Sequence, residues 1–179
     1  MRTLAGLLFV AGSIGGHVHN CGCDSGRPET LEARECSLCR EAEKQPSHVP
    51  VFFLKDNNPR KPNRWLILPR LHGKGAHPLA DLSEKHRLEL WTAAIDKGKS
   101  LFGAQWGLAV NGNDSRTQCH AHIHIGKLLE GVETANFVLV KGPGDIPVIA
   151  DGGGFWIHPE GNGLHVHTGE EITETVLVG

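Results

Sequence analysis

The stretch from residue 118 to residue 128 constrains this chain more than any other part of its sequence. Histidines alternate there with small or branched apolar residues, in the order His120, Ala121, His122, Ile123, His124 and Ile125. Because successive side chains of a strand point to opposite faces, this alternation predicts a strand that carries all three imidazoles on one face. The apolar face can pack on a core, while the histidine face lines a site that either holds a metal ion or attacks phosphorus.

The composition is that of a globular domain and gives no sign of a nucleic-acid polymer as partner. The chain has 179 residues, of which 39% are hydrophobic and 21% charged, and its formal net charge is -2. This length suffices for one domain with a core of its own. The charge provides no bulk attraction to nucleic acid or to acidic membranes. Half of the twelve histidines fall in two clusters, at 120–124 and 158–167.

Residues 1–28 have the pattern of a secretory signal followed by a linker. Arg2 precedes an apolar run over residues 4–10, and small residues follow it, which is the order typical of such signals. The run is too short to span a bilayer, since a spanning helix needs about 20 apolar residues. An N-terminal strand or helix of the fold is the alternative. The sequence thus favours an exported or membrane-associated protein over a cytoplasmic one and leaves a peripheral membrane contact open.

The five cysteines are odd in number and clustered, which argues against a disulfide framework. Cys36 and Cys39 are separated by two residues, the spacing of half a tetrahedral zinc site. A local disulfide or a pair of free thiols is the alternative for these two residues.

Hydrophobic periodicity predicts an α+β fold with a mostly antiparallel sheet and one principal helix. Leu88, Trp91 and Ile95 recur at helical spacing and predict that helix over 83–101. A short helical lead-in over 29–45 carries the cysteine pair. Strands are predicted over 49–56, 65–68, 106–111, 118–128, 137–141, 154–158 and 171–178, the first two as an antiparallel hairpin. We expect residues 29–141 to form a catalytic domain on which residues 142–179 pack as a β-rich extension.

The polar residues ahead of the histidines favour phosphate chemistry over metal catalysis. Amide, hydroxyl and guanidinium donors suit an anion, and a group of them precedes the histidine strand: Asn111, Asn113, Ser115, Arg116, Thr117 and Gln118. A catalytic metal favours a carboxylate beside the imidazoles, whereas the nearest acids, Asp114 and Glu130, lie off the strand on either side. A zinc-dependent hydrolase that uses all three histidines remains an alternative, as does a non-catalytic nucleotide- or metal-binding module.

Two motifs of the chain resemble those of the histidine-triad (HIT) superfamily of nucleotide hydrolases and transferases. The run His120-Ala-His122-Ile-His124 is similar to the His-φ-His-φ-His signature of that superfamily. The run Trp65-Leu-Ile-Leu-Pro-Arg-Leu-His72 resembles its strand that ends in Pro-Lys/Arg-x-His.

Further pieces agree with this resemblance in order and spacing, over roughly residues 34–130. Leu79-Ala-Asp-Leu82 resembles the next segment of the superfamily, and Asn111 falls where its members carry a nucleotide-contacting Asn. The run Ser115-Arg-Thr-Gln118 is closer to the CDP-diacylglycerol diphosphatase branch than to the small nucleotide-binding members.

The resemblance implies a HIT-like fold and hydrolysis of a nucleotide pyrophosphate or phosphoester through a nucleotidyl-histidine intermediate. His122 would attack the α-phosphorus, and His124 would hydrogen-bond the phosphate or the leaving group. The implied phosphate-side donors are Asn111, Ser115, Thr117 and Gln118. The partner would be a nucleotide conjugate, with the lipid nucleotide CDP-diacylglycerol as a candidate, and no organic cofactor is expected. A homodimer is left open.

A structural Zn²⁺ is the second implication of the resemblance. Zinc-binding members of the superfamily use the equivalents of Cys36, Cys39, His72 and His120. Such a Cys2His2 set has no open coordination position, so it would assign His120 to structure rather than to catalysis. His77 is a rival for His72, because residues 73–76 have the character of an insertion.

The C-terminal histidines suggest a metal cluster without establishing one. His165, His167 and Glu171 form a His-x-His-x3-Glu motif, and His158 lies nearby. In a cupin such a motif is followed by more of the β-barrel, but only eight residues follow Glu171. We therefore expect a strand-borne surface pair or a wall of the substrate pocket in preference to an independent metal site.

Overall fold

The structure is a computed structural model that describes Val18, residues 21–72 and residues 78–179. The signal-like run at residues 2–16 and His77 lie outside these residues. Within the described part of the chain, no helix combines the length and apolar character needed to cross a bilayer.

Seven antiparallel strands form a single sheet, in the order β1-β2-β4-β3-β6-β7-β5. The strands are β1 (Val51–Lys55), β2 (Trp65–Pro69), β3 (Trp106–Val110), β4 (Ile123–Lys127), β5 (Phe137–Val140), β6 (Gly154–Glu160) and β7 (Gly163–Glu170). The described residues also form two α-helices, α1 (Ser37–Glu43) and α2 (Glu84–Phe102), together with short 3-10 helices. The predicted α+β class, the mostly antiparallel sheet and the first hairpin are therefore confirmed.

Helix α2 packs on one face of the sheet and confirms the predicted principal helix. The Ser83 hydroxyl caps its first turn by accepting a hydrogen bond from the backbone amide of His86 at 3.3 Å. Serine is one of the residues favoured at this N-cap position. Leu90 and Ile95 belong to the main core cluster with sheet residues such as Ile125. A methyl group at Gly98 would lie only 3.1 Å from Cβ of Trp106, so a glycine is what lets the helix approach β3 closely.

The histidine stretch forms less strand than the sequence predicts. β4 begins at Ile123, so His124 lies in the strand while His120 and His122 precede it, although all three side chains are buried. The ladder between β4 and β2 ends at the pair of Ile123 and Ile67. Its continuation would require a backbone N–H at Pro69, which proline lacks. The Pro69 carbonyl instead accepts a hydrogen bond from Nε2 of His120 at 2.7 Å. The prediction of one strand that carries all three histidines is thus wrong in extent.

The predicted strand over 171–178 is also wrong, because Thr173–Val176 is a 3-10 helix. Oδ1 of Asn111 accepts hydrogen bonds from the backbone amides of Thr173 and Glu174, each at 3.0 Å. Because one side-chain oxygen binds two successive amides, the backbone here forms a turn instead of an extended strand. The last strand lies earlier, as β7, and pairs with β6 across a turn in which Gly161 has a φ of 54°.

The sheet register sets both histidine clusters on the face opposite α2. His124 pairs with Ala109, Ala109 with Trp156, and Trp156 with His167. Residues paired across neighbouring strands share a face, and His124 and His167 are three strand spacings apart, roughly 14 Å. Between them this face is covered by the C-terminal segment, whose Leu177 packs against Ala109 and Trp156.

Candidate functional site

One cavity, of about 640 Å³, brings together the two histidines and the four donors that the resemblance implies for the phosphate. Its lining includes Asn111, Ser115, Thr117, Gln118, His122 and His124. The other two predicted donors, Asn113 and Arg116, are not among its lining residues, and Nη2 of Arg116 donates to Oδ1 of Asn113 at 3.0 Å. Other walls come from α1, from the β1–β2 hairpin and from the C-terminal segment, with Ser37, Leu38, Leu54, Lys61, Leu66 and Glu174. Residues distant in sequence therefore converge on the histidines at one edge of the sheet face.

His122 is held in a defined tautomer by the backbone. Its Nδ1 lies 2.9 Å from the carbonyl oxygen of His120. Because a carbonyl can only accept, Nδ1 carries the proton and Nε2 keeps its lone pair. Burial lowers the pKa of His122 to about 4, so its imidazole is neutral near neutral pH. A neutral imidazole with a free lone pair is the form in which histidine acts as a nucleophile.

His124 lies beside His122 and faces an acid. The two rings meet edge to face with their centroids 5.0 Å apart. Nδ1 of His124 is 3.7 Å from Oε2 of Glu174. Burial, and next to it the neighbouring His122, lowers the pKa of His124 to about 3. His124 is therefore a second neutral imidazole, with a carboxylate close enough to stabilise it whenever it gains a proton.

Glu174 is a site residue that the sequence did not suggest. Its carboxylate accepts a hydrogen bond from Lys61 and another from Nη1 of Arg64 at 2.9 Å. Burial by itself favours the neutral acid, but His124, Lys61 and Arg64 outweigh it and lower the pKa of Glu174 to about 2. Nothing in the residue types around position 174 distinguishes this acid, and only the fold brings it to the triad.

Asn111 and Gln118 are engaged by the polypeptide itself. Oδ1 of Asn111 caps the C-terminal segment, as described above, and thereby brings Glu174 to the cavity. Oε1 of Gln118 accepts from the Ser37 hydroxyl at 2.7 Å, and its Nε2 donates to the carbonyl of Arg34 at 3.0 Å. Both amides thus join separate segments of the cavity wall. Gln118 in particular ties the start of α1 to the loop that leads into the triad.

Three of the four predicted zinc ligands come together. The ligand atoms of Cys39, His72 and His120 lie within 4.8 Å of one another. The Nε2–H of His120 donates to the Pro69 carbonyl, which leaves Nδ1 as the nitrogen with a lone pair for a metal. Cys36 belongs instead to a group with Cys23 and Cys39. Two thiolates and two imidazoles are a known donor set for zinc, so these residues fit a divalent metal ion, with Cys23 and Cys36 as rivals for the fourth position.

The argument against a disulfide framework missed one long-range bond, because Cys21 and Cys119 are joined by a disulfide. An odd cysteine count requires only that one thiol be left over, and it does not exclude a long-range pair. Sγ of Cys36 lies 3.6 Å from Sγ of Cys119, so the disulfide borders the cysteine group. The bond ties the segment at residue 21 to the residue that precedes the triad.

The C-terminal histidines also converge, though not with the acid that the sequence motif suggests. His158, His165 and His167 meet the carboxylate of Glu133. Glu171 lies one residue beyond the end of β7, and its carboxylate is directed at Gly112. The predicted alternatives for these histidines, a surface pair or a wall of the substrate pocket, do not describe this cluster, and none of the three lines the 640 Å³ cavity.

The three alternating histidines do not form one group of neighbouring metal-ligand atoms in the described part of the chain. His120 groups with Cys39 and His72, whereas His122 and His124 join none of the metal-binding groups found there. Neither a scan against protein-family models nor a search of curated proteins finds a match to this chain.

Proposed function

We propose that this protein is a HIT-like hydrolase of nucleotide pyrophosphates or phosphoesters that works through a nucleotidyl-histidine intermediate. The observation that carries the proposal is the hydrogen bond from Nδ1 of His122 to the His120 carbonyl, at 2.9 Å. It leaves Nε2 as the lone-pair nitrogen of a side chain that lines a cavity with phosphate-binding donors. This is the arrangement that nucleophilic catalysis by histidine requires.

In the first step, Nε2 of His122 forms a bond to the α-phosphorus. The bond from phosphorus to the leaving oxygen breaks, and its electron pair departs with the leaving group. His122 thereby gains positive charge, which the His120 carbonyl stabilises directly and the carboxylate of Glu174 stabilises at longer range. The chemistry demands little beyond positioning and charge stabilisation.

In the second step, water attacks the phosphorus of the intermediate. The nitrogen–phosphorus bond breaks, and its electrons return to Nε2 of His122. The proton of the attacking water passes to His124, whose charged form Glu174 stabilises from 3.7 Å. His124 then releases the proton to solvent, and both imidazoles are neutral again.

The remaining cavity residues divide between binding and positioning. The hydroxyls of Ser115 and Thr117 donate to phosphate oxygens, as does the side-chain nitrogen of Asn111, whose oxygen is committed to the C-terminal segment. Gln118 acts as a positioning residue, since both ends of its amide hold neighbouring chain segments.

The substrate class follows from the two kinds of wall in this cavity. Leu54 and Leu66 pair across β1 and β2, and Leu66 pairs with His124, so an apolar surface adjoins the triad. A nucleoside can rest on that surface while its phosphate reaches the polar wall. A volume of about 640 Å³ suits one nucleotide, since small-molecule sites span roughly 300–1,000 Å³. A long leaving group, such as the lipid phosphate of CDP-diacylglycerol, would extend outside.

A structural Zn²⁺ belongs to the same proposal. Cys39, His72 and His120 would hold it with one further thiolate, and when bound it would cross-link α1, the end of β2 and the triad segment. The Cys21–Cys119 disulfide supports an exported protein, because such bonds persist in oxidising compartments.

Substitution of His122 by alanine tests the nucleophile. We expect wild-type protein to hydrolyse at least one member of a panel made of CDP-diacylglycerol, dinucleoside polyphosphates and nucleoside phosphoramidates. After an alkaline quench, which preserves phosphoramidate bonds, intact-mass spectrometry should detect one nucleotidyl group per chain. His122→Ala should fold, lack the adduct and lose turnover by at least about 10⁴-fold, the order found when a catalytic nucleophile is removed.

His48→Ala is the matched control, because His48 is exposed in a turn far along the chain from the triad. It should keep both turnover and adduct. Undiminished hydrolysis by His122→Ala would exclude the nucleophile role. Turnover without an adduct, abolished by a chelator that leaves the fold intact, would favour the metal-hydrolase alternative. Nucleotide binding without any turnover would favour the non-catalytic module.

A further inference from the structure

A second cluster of ionisable side chains lies on the same sheet face as the triad, roughly 14 Å from it by strand spacing. His158 on β6 pairs directly with His165 on β7, and His167 follows two residues later on the same face. Glu133 reaches them from the segment between β4 and β5. No step of the proposed hydrolysis uses any of these four residues.

The four side chains approach each other at distances that suit one small cation. Oε2 of Glu133 lies 2.8 Å from Nε2 of His158, and Oε1 lies 2.8 Å from Nδ1 of His165 and 3.4 Å from Nε2 of His167. Nε2 of His158 is 3.2 Å from Nε2 of His167. Ligands about 2.0–2.1 Å from a tetrahedral zinc ion are roughly 3.4 Å apart. Only small adjustments would therefore place one ion among all four.

The hydrogen bonds behind the cluster direct lone pairs inward. Nδ1 of His158 lies 3.1 Å from the carbonyl of Pro159, so it carries the proton of the neutral ring. Nε2 then presents a lone pair to a carboxylate oxygen and to a second imidazole nitrogen, an arrangement that calls for a cation or for extra protons between them. Nδ1 of His167 is likewise engaged, by the Thr134 hydroxyl at 2.9 Å. Such outer contacts are those that orient histidine ligands of metals.

Aromatic stacking fixes the orientation of two of the rings. Trp156 stacks on His167 with a centroid distance of 3.7 Å and an interplanar angle of 3°. Phe137 stacks on His165 with a centroid distance of 3.9 Å and an angle of 15°. A set of ligands held in place before binding loses little conformational entropy when the ion arrives.

The cluster is also accessible. The side chains of His158 and His167 are almost completely buried, whereas that of Glu133 is 49% exposed. A cavity of about 310 Å³, lined by Glu133, His158 and residues 128–132, opens beside them. An ion can therefore enter past Glu133 and reach imidazoles that are shielded from water.

We propose that Glu133, His158, His165 and His167 form a binding site for a divalent transition-metal ion, separate from the cysteine-containing group. Three imidazoles and one carboxylate are donors that suit Zn²⁺ and its neighbours Co²⁺ and Ni²⁺, and not Mg²⁺ or Ca²⁺. Four protein ligands complete a tetrahedral shell, so the ion cross-links the β6–β7 hairpin to the segment that carries Glu133.

Zinc stoichiometry tests the site in the full-length protein. Chelator-treated chain is loaded with Zn²⁺, dialysed and measured by elemental mass spectrometry, alongside Glu133→Gln and His165→Ala. We expect each variant to retain one zinc ion fewer per chain than wild type, with a dissociation constant raised more than about 100-fold. This difference of one is expected whether or not the cysteine group binds zinc, so the two metal proposals stand or fall separately.

A spectroscopic measurement identifies the site directly. Co²⁺ bound next to His167 should quench the fluorescence of Trp156, and Trp156→Phe should remove that component. Co²⁺ in this oxygen and nitrogen site should add no thiolate charge-transfer band, unlike Co²⁺ in the cysteine group. Thr134→Val should weaken binding by roughly 10–100-fold, the range for loss of an outer hydrogen bond, whereas Thr92→Val, on the exposed face of α2, should not.

Equal zinc content in wild type and in folded Glu133→Gln would overturn the proposal. So would an absence of Trp156 quenching at Co²⁺ concentrations that saturate the protein, since the cluster would then be held by protons. If His165→Ala fails to fold, Glu133→Gln still decides, because its half-exposed side chain lies in a connecting segment and the substitution keeps its size.

Discussion

The carboxylate of Glu174 contributes to stability as well as to the site, because it is buried among Lys61, Arg64 and His124. Its pKa is about 2 in the folded protein, below the ordinary value of 4.5. A carboxylate whose pKa is lowered by folding stabilises the folded state above its unfolded pKa. That contribution is lost as the pH falls through the folded pKa.

Glu174→Gln should therefore lower the free energy of unfolding by roughly 2–3 kcal/mol near neutral pH. The difference between variant and wild type should shrink between about pH 4.5 and pH 2, where the wild-type carboxylate becomes protonated. Urea unfolding at several pH values measures it. Glu32→Gln is the control: its exposed ion pair with Arg40 should be worth under about 1 kcal/mol. A pH-independent difference for Glu174→Gln would contradict this account.

Single residues differ in how far the sequence could predict their roles. His122, His124 and the donors before them line one cavity, and they lie within fifteen positions of each other in the sequence. Over so short a separation, the local strand and loop conformation brings the side chains together, so their proximity could be predicted from the sequence. Glu174 and Glu133 reach their histidines from distant segments, and acids of this kind are common on any surface. Their roles depend on which strands become neighbours, and no local pattern encodes that.

At the scale of elements, the C-terminal segment docks on the sheet through two paired glycines. Gly107 and Gly126 face each other across β3 and β4, and Leu177 lies over them, so that a methyl group on Gly126 would be 3.1 Å from its Cβ. The segment is further held by the amide of Val178, which donates to the Lys127 carbonyl at 2.8 Å. This docking delivers Glu174 to the triad.

Gly126→Ala should destabilise the protein by about 1–3 kcal/mol, since added volume at a tight contact forces neighbours to shift. It should also speed hydrogen exchange at the amide of Val178 and reduce turnover, because Glu174 moves with Leu177. Unfolding by urea and exchange measured by mass spectrometry test both effects. Gly142→Ala serves as control, since a methyl group there meets nothing within 4 Å. Unchanged exchange in Gly126→Ala would mean that Leu177 accommodates the methyl group without undocking.

Elements with a strong local pattern were predictable, and those fixed by distant hydrogen bonds were not. Helix α2 combines helical spacing of apolar residues with a capping serine, so its bounds follow from the sequence. The start of β4 depends on Pro69, which ends the ladder from a neighbouring strand. The 3-10 helix at Thr173–Val176 depends on Asn111, about sixty residues earlier in the chain. The local apolar residues, Val176 to Val178, would by themselves favour a strand.

At the scale of the whole molecule, one disulfide closes a long loop between the N-terminal segment and the triad. Cys21 and Cys119 are 98 residues apart in sequence. The chain-entropy account assigns a loop of about this size up to about 4–5 kcal/mol of stabilisation. The Cys21→Ser, Cys119→Ser double variant should thus unfold at a markedly lower urea concentration than the oxidised wild type. The double variant and wild type should unfold at the same urea concentration when wild type is measured with its disulfide reduced. A change below about 1 kcal/mol would show that the reduced chain keeps these segments together without the bond.

The cysteine and histidine group joins two other parts of the molecule to the triad, namely α1 and the segment that follows β2. Cys39 lies in both thiol-containing groups and is fully buried. Burial raises the pKa of Cys39 above its usual range, so a metal ion that binds there must displace a proton, and binding should weaken at low pH. Cys39→Ser should abolish the thiolate charge-transfer band of the Co²⁺-loaded protein.

Zinc at about 1,000 times the dissociation constant of the cysteine-containing site should stabilise the wild type by about 4 kcal/mol through that site alone. For a chain of this length that corresponds to a rise in Tm of about 8–16 °C. Comparison of Cys36→Ser with Cys23→Ser then identifies the fourth ligand. Loss of the Co²⁺ band in Cys36→Ser would match the set that the sequence resemblance implies, whereas loss in Cys23→Ser would assign that position to the N-terminal segment. An undiminished band in Cys39→Ser would rule the site out.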